Sequence, residues 1–300
     1  MARGCCVFPP LEGRKIACGG PAWPGQLRAC GSRAVGAHSL LVTRHHEPTD
    51  AQYRHAITDL VELLDGIASI KVNRRKARHV DLLQGLCFYV HDTAKAALTL
   101  IDQGYGPSAG ALTRVAVEHA TMAQWIVLQP DGVDRYLAEL EAQAKTFAAK
   151  VTTVGIVIPP DLAEAYKRYE KAKAVQDIRQ TEKMFQAVDP SGWMYIQWKT
   201  LCGYVHPSST TAAIYAHETL DGSVQWHREP EGMPDRALLF SLALSMTLAT
   251  APLLDLVKGK PHKKRLMKIA EAAHVPLWAT ADGKPPKHRG GTKAGTHPAS

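Results

Sequence analysis

Residues 106–129, GPSAGALTRVAVEHATMAQWIVLQ, form an apolar run of helical length that contains two opposite charges, Arg114 and Glu118. These two residues lie four positions apart and therefore share one face of a helix, and Trp125 follows on nearly the same stripe. A buried charge without a partner is very costly, so both groups need partners inside the fold. We therefore predict a central helix that carries a polar centre.

Turn residues on both sides of this segment divide the chain into further helices. Gly104-Tyr105-Gly106-Pro107 ends one helix and starts the next, and the turn sequence at 129–132 ends the central helix. Apolar residues at helical spacing predict helices over 80–103, 133–154, 234–257 and 262–274, and another that begins at about residue 50. Asp221-Gly222, between alternating residues of 217–226, is the only hairpin signal. The pattern predicts an all-α fold, an up-and-down helical bundle with at most one short β-hairpin.

Composition separates three regions. Residues 1–47 lack periodicity and are rich in Gly, Pro, Arg and Cys, so we expect a disordered segment or a mis-annotated start, with a GTG start near Val42 as the alternative. Residues 48–276 are predicted to form a single helical domain, in which the charge pairs of 160–188 indicate an exposed, charged helical arm. Residues 277–300 are predicted to be a disordered basic tail.

The net charge of +8 is concentrated at the two ends of the chain. Residues 1–45 contribute +5 and residues 283–300 contribute +4, which leaves −1 for everything between them. The basic balance is therefore no property of the helical fold. Two basic runs inside it, Lys71–His79 and Lys258–Lys268, are solvated connectors unless they share a face, in which case phosphate backbones become plausible ligands.

Several features bear on location and cofactors. The start of the chain lacks the apolar segment of a signal peptide, and four of the six Cys fall in the first thirty residues without metal-ligand spacing. We therefore expect a cytoplasmic location and no cofactor. Ala237–Leu254 contains no charge and is long enough to span a membrane, but its hydroxyl and small side chains favour a core helix.

The candidate site residues are Arg114, Glu118, His119 and His206. His206 follows an aromatic segment and precedes Pro207, which pushes its backbone out of helical geometry. A histidine at such a junction is a general base, a ligand or a structural hydrogen-bonding group. The residue types for a metal are present, but no His-Glu-x-x-His motif occurs, so no metal site is predicted.

Two groups of motifs carry a resemblance to known families. The helix with Arg114, Glu118 and Trp125, followed later by Tyr-Val-His-Pro-Ser at 204–208, resembles a widespread bacterial family of all-helical proteins catalogued only as a domain of unknown function. That resemblance covers roughly residues 55–260 and implies a helical domain without an established activity.

A second resemblance rests on Arg114 and His119, whose Arg-x4-His spacing is similar to that of bundle-type prokaryotic ribonucleases of toxin–antitoxin and defence systems. It implies that Arg114 contacts a phosphate and that His119 carries a proton at a ribose 2′-oxygen. Val115 stands where those enzymes usually have a polar residue. On an unbroken helix five residues turn through about 140°, which points the two side chains apart.

Three hypotheses for the function follow. The first is a non-catalytic interaction or regulatory module in which Arg114, Glu118 and His206 form an internal polar network. The second is a metal-independent ribonuclease that uses Arg114 with His119 or His206. The third is a binder of a small anion at the same centre. The partner is open between another protein and RNA, no membrane is favoured, and the sequence does not determine the oligomeric state.

Overall fold

A computed structural model describes residues 47–67, 71–72, 76–167, 175–206, 214–219, 223–226, 234–260, 262–280 and 283. The helices within these ranges are α1 (Asp50–Asp65), α2 (Ala77–Asp102), α3 (Gly106–Leu128), α4 (Gly132–Thr153), α5 (Pro160–Lys167), α6 (Gln176–Arg179), α7 (Thr181–Val188), α8 (Trp193–Cys202), α9 (Asp235–Leu256) and α10 (Lys263–Ala272). Strand β1 (Ala216–Glu218) pairs with β2 (Val224–Trp226) in antiparallel register. The predicted all-α bundle with one short hairpin is confirmed.

Helix α3 is the central element, as its sequence predicts. It packs against α2, α4, α7, α8 and α9. Pro107 lies in its first turn, where the missing N–H costs no helical hydrogen bond. Ala109, Ala116, Ala120 and Ala123 are buried, and their small side chains let the neighbouring helices approach closely.

Helices α1, α2, α3 and α9 supply most of the core. Helices α2 and α3 are antiparallel, because the chain reverses between them at Gly104, whose φ of +80° is easily reached only by glycine. Helices α1 and α9 begin side by side and run in the same direction. Arg236 at the start of α9 donates to the carbonyl of Pro48 at 2.7 Å, and the rings of Tyr53 and Phe240 meet edge to face at 5.8 Å.

Helix α9 is the most apolar element of the bundle. By length and composition alone it is able to cross a membrane, yet most of its residues are buried against α1, α2, α3 and α10. Four of its buried hydroxyl groups donate to the carbonyl four residues earlier, at Ser241, Ser245, Thr247 and Thr250. These local hydrogen bonds give each hydroxyl proton an acceptor within its own helix, while the oxygens of Ser241 and Thr250 also contact Gln197 of α8 and His91 of α2.

The structure differs from the sequence prediction at two places. The last part of the predicted charged arm, α7, packs against α3 and buries Met184, Phe185 and Val188. The predicted tail begins too early, because Trp278 is also buried in the core. Residues 1–46 and 284–300 lie outside the described residues, so the predictions for a disordered start and most of the basic tail remain predictions.

A buried carboxylate holds the segment 175–179 against α4. Glu139 is 1% exposed and accepts hydrogen bonds from the Val175 N–H, from Arg179 Nε and from Gln143 Nε2, at 2.7, 2.7 and 3.1 Å. Burial alone would raise the pKa of Glu139, but these hydrogen bonds and the positive charge of Arg179 outweigh it, so the pKa is lowered. The ionised carboxylate is thus the form that ties α6 to the bundle.

The turn between α3 and α4 depends on Gly132. A Cβ atom at this position would lie 2.2 Å from the carbonyl oxygen of Ile126, a distance that real side chains do not adopt. Asp131, which precedes it, has a φ of +54°, in the left-handed region that aspartate tolerates better than most residues. The Pro-Asp-Gly sequence therefore fits this turn for steric reasons.

Candidate functional site

The predicted ion pair forms and lies at the edge of the core. Arg114 Nη2 is 2.9 Å from Glu118 Oε2, and the two side chains are 20% and 32% exposed. Their half-buried position follows from the helix itself, since residues 114 and 118 share a face beside the fully buried stripe of α3. The two opposite charges largely neutralise each other at this point.

Trp198 of α8 covers this ion pair. Its indole Nε1–H donates to Glu118 Oε2 at 3.3 Å, and the guanidinium carbon of Arg114 lies 5.1 Å from the indole ring centroid. This distance is within the range of a cation–π interaction. We call Arg114, Glu118 and Trp198 the α3–α8 centre.

The α3–α8 centre is backed by an aromatic cluster. The Trp198 ring stacks on Tyr195 at 5.9 Å and lies 5.6 Å from Phe185 of α7. Helices α7 and α8 thus cover α3 with large rings, and Trp198 is the ring that also contacts the charges. Trp198 belongs to the aromatic segment that precedes His206, but the sequence contains no signal that pairs it with Glu118, which lies eighty residues earlier.

Two neighbouring side chains occupy part of the Arg114 guanidinium. Glu118 binds one terminal nitrogen, and the indole of Trp198 covers one face. Its Nε–H is buried and has no hydrogen-bond partner within the described part of the chain. An anion would therefore compete with Glu118 for the positive charge of the guanidinium.

His119 faces a different helix from Arg114. Its Nδ1 lies 2.9 Å from the carbonyl oxygen of Val115, which assigns the proton to Nδ1, and its ring lies 4.6 Å from that of Tyr89 on α2. Because α3 is continuous from Gly106 to Leu128, Arg114 contacts α8 whereas His119 contacts α2. The structure does not join them in a shared cleft.

His206 lies beyond the end of α8. It is exposed, and its backbone N–H donates to the carbonyl of Cys202 at 3.1 Å. Two residues earlier, Tyr204 packs on Gly110 of α3, where an added Cβ would lie 3.2 Å from the Tyr204 ring. The segment therefore passes one helical turn from Arg114, and the convergence of the His206 side chain with Arg114 and Glu118 stays a prediction.

Trp125, the third residue of the predicted stripe, belongs to the core. It is almost fully buried, and the guanidinium carbon of Arg135 on α4 lies 5.0 Å from its ring centroid. This second Arg–Trp contact joins α3 to α4 as the first joins α3 to α8. Trp125 and Trp198 thus take part in two separate helix contacts.

A second polar group lies between α2 and α9. His91 is 3% exposed, and its Nε2 lies 3.0 Å from Thr250 Oγ1, which itself donates to the carbonyl of Met246. The Thr250 oxygen therefore accepts from Nε2–H, and His91 Nδ1 is left buried without a partner among the described residues. Burial, with the charge of Lys95, lowers the pKa of His91 to about 3, so the ring is neutral. Burial also raises the pKa of the adjacent Cys87 thiol to about 12.

Gln124 is a third buried polar residue, which sequence analysis missed. Its Nε2 donates to the carbonyl of Leu248 at 2.7 Å and to that of Leu277 at 3.3 Å, and its Oε1 accepts from the Ala279 N–H at 3.4 Å. In a regular helix the N–H of residue 252 would bind the carbonyl of Leu248, but Pro252 has no N–H. Gln124 therefore supplies the donor that Pro252 lacks. A proline inside an apolar helix is the sequence signal that could have indicated such a partner.

No group of three or more His, Cys, Asp or Glu side chains that could hold a metal ion occurs within the described ranges. The histidines at 91, 119 and 206 lie in the different surroundings described above. The described part of the chain thus provides no argument for a metal centre.

Comparison with known proteins finds a family match over part of the chain and no activity. Residues 80–223 match the model of a family of unknown function (DUF5677). This match confirms the resemblance to a family catalogued only as a domain of unknown function, and the matched region contains Arg114, Glu118, Trp198 and His206. No curated protein and no solved structure matches the chain.

Proposed function

We propose that the chain is a non-catalytic helical interaction or regulatory module, in which the α3–α8 centre holds α8 on the central helix. The observation that carries this proposal is the enclosure of Arg114 by Glu118 and Trp198. A catalytic or anion-binding arginine directs its donors into an open cleft, whereas one terminal nitrogen of Arg114 binds Glu118 and one face of its guanidinium lies against Trp198.

The energetic role of the centre follows from its contacts. A hydrogen bond to a charged group contributes about 1.5–3 kcal/mol and a cation–π contact about 0.5–1 kcal/mol where it is partly exposed. Because both charged side chains are partly exposed, solvent screening reduces these values. We expect removal of the Arg114 side chain to lower the free energy of unfolding by about 2 kcal/mol.

The proposal includes the cytoplasm of a bacterial cell as the location of the module. Cys87 and Cys202 are free, buried thiols, and unpaired thiols are typical of a reducing compartment. The resemblance to a bacterial family supports the source.

The test compares Arg114→Ala and Glu118→Gln with the wild-type protein in thermal denaturation, next to an assay for cleavage of single-stranded RNA. The proposal expects both variants to melt at lower temperature and expects no RNA cleavage by any of the three proteins. Cleavage by the wild type that Arg114→Ala abolishes without a change in melting would refute it.

Glu118→Gln separates the structural role from anion binding. It keeps the shape of the side chain but leaves the charge of Arg114 uncompensated, so an anion-binding site would bind inorganic phosphate more tightly. A structural centre would show only the loss of stability.

A further inference from the structure

The two basic runs of the sequence touch at one backbone contact in the described part of the chain. The backbone N–H of Lys258, just after α9, donates to the carbonyl of Lys71 at 2.9 Å. Helix α10 then continues the second run and places Lys264 and Lys268 four residues apart on its exposed side. The lysines at this end of the bundle form what we call the basic surface: Lys71, Lys258, Lys260, Lys263, Lys264 and Lys268.

The basic surface is poorly neutralised by the protein. Asp255 pairs with Lys260 and Lys263, at 3.2 and 2.6 Å. The other four lysines have no acidic partner in the described part of the chain. Residues 46–282 have a net charge of −1, so the charge of this region is segregated rather than evenly spread. Such a concentration of like charge attracts anionic partners and counterions.

The geometry of α10 favours a polyanion over a lipid bilayer. A basic helix that binds a membrane inserts its apolar side into the lipid. In α10 that side consists of Leu266, Ile269 and Ala270, which are buried against the bundle, where α10 packs on α1 and α9. The exposed side therefore offers lysine ammonium groups with the single large apolar side chain of Met267.

Lysine presents a compact positive charge that suits contacts with phosphates, and such contacts carry no sequence information. Arg265, which lies between these lysines on α10, pairs with Glu62 at 3.1 Å, and no aromatic ring belongs to α10. We propose that the basic surface binds the phosphodiester backbone of a nucleic acid without sequence preference. This inference goes beyond the proposed function, because it names a partner class and uses no residue of the α3–α8 centre.

The experiment measures fluorescence anisotropy of a labelled single-stranded RNA and of a DNA duplex of equal length with the full chain. One variant reverses three lysines of the basic surface that lack acidic partners: Lys258→Glu, Lys264→Glu and Lys268→Glu. The matched control makes the same change in net charge at three exposed lysines of α4, α7 and α8: Lys150→Glu, Lys183→Glu and Lys199→Glu. The terminal segments are identical in all three proteins, so their charge cannot explain a difference.

We expect the basic-surface variant to bind either nucleic acid at least about tenfold more weakly, with the control within about threefold of the wild type. Because each phosphate contact contributes about 0.9 to the slope of log K against log salt on duplex DNA, the variant should lose up to about 3 units of that slope. The RNA and duplex arms show which nucleic acid is preferred.

Equal losses in both variants would overturn the inference, because they would show that only net charge matters. No binding of the wild type to either nucleic acid would also overturn it, and binding to phosphatidylserine vesicles in that case would point to a membrane instead. Neither outcome bears on the proposed function, which is tested by the melting of Arg114→Ala and by RNA cleavage.

Discussion

Gln124 offers a sharp test of how α3 supports the proline-containing helix α9. Leucine has a similar volume, so Gln124→Leu removes the hydrogen bonds without leaving a large cavity. The Leu248 carbonyl would then be buried without a donor, at a cost of about 1–3 kcal/mol. Loss of the two longer hydrogen bonds to the segment 277–279 adds about 1 kcal/mol. We expect a total loss of about 3 kcal/mol in the free energy of unfolding.

A double-mutant cycle with Pro252→Ala isolates the proposed cause. Alanine restores an N–H at position 252, which can bind the carbonyl of Leu248 within the helix. In that background Gln124→Leu should cost only about 1 kcal/mol, which gives a coupling free energy of about 2 kcal/mol. Urea denaturation followed by far-ultraviolet circular dichroism measures all four proteins.

Thr121→Val provides the control for this cycle. Thr121 is also buried on α3, but its hydroxyl donates to the Val117 carbonyl of its own helix at 2.8 Å. Its effect should therefore be additive with that of Pro252→Ala. If Gln124→Leu lowers the free energy of unfolding equally in the wild type and in Pro252→Ala, then Gln124 does not replace the missing N–H of Pro252.

Three further predictions concern other parts of the bundle. Glu139→Gln should destabilise the protein by about 2 kcal/mol and speed tryptic cleavage at Arg179, because the ionised carboxylate anchors this segment; an unchanged cleavage rate would contradict that role. The pKa of His91 is lowered to about 3, so on acidification this ring is protonated in the unfolded chain before it is protonated in the folded protein. The free energy of unfolding should therefore fall as the pH drops below about 6.5, by on the order of 5 kcal/mol by the time the pH reaches the folded pKa. Between about pH 6 and 5 the free energy of unfolding of His91→Gln should therefore fall less than that of the wild type. Parallel curves of stability against pH for the two proteins would disprove this prediction. Gly132→Ala should cost more than about 2 kcal/mol in urea denaturation, because its Cβ would strike the Ile126 carbonyl, and a stable variant would show that the turn can move.

Local sequence patterns predict much of this fold. Glycine and proline stops and helical spacing place the central helix at 106–129, and the structure has Gly106–Leu128; the apolar helix predicted at 234–257 is Asp235–Leu256. These boundaries are determined by nearby residues, through caps, turns and the missing N–H of proline. The Arg114–Glu118 pair is predictable for the same reason, since both residues lie on one helical face.

Contacts between distant parts of the chain could not be predicted in this way. Nothing local to Glu118 indicates that Trp198 covers it. The many charges of 160–188 predicted an exposed arm, although Met184, Phe185 and Val188 form a short apolar stripe on one side of α7. Tertiary packing decided these positions, and a single sequence carries little signal for it.

Hydrogen exchange of the α8 amides in Arg114→Ala tests most directly whether the α3–α8 centre holds α8 on α3. The account predicts that the amides of Trp193–Cys202 lose protection, while those of α1 and α2 keep theirs. Unchanged protection across α8 in the folded variant would contradict the structural role of Arg114.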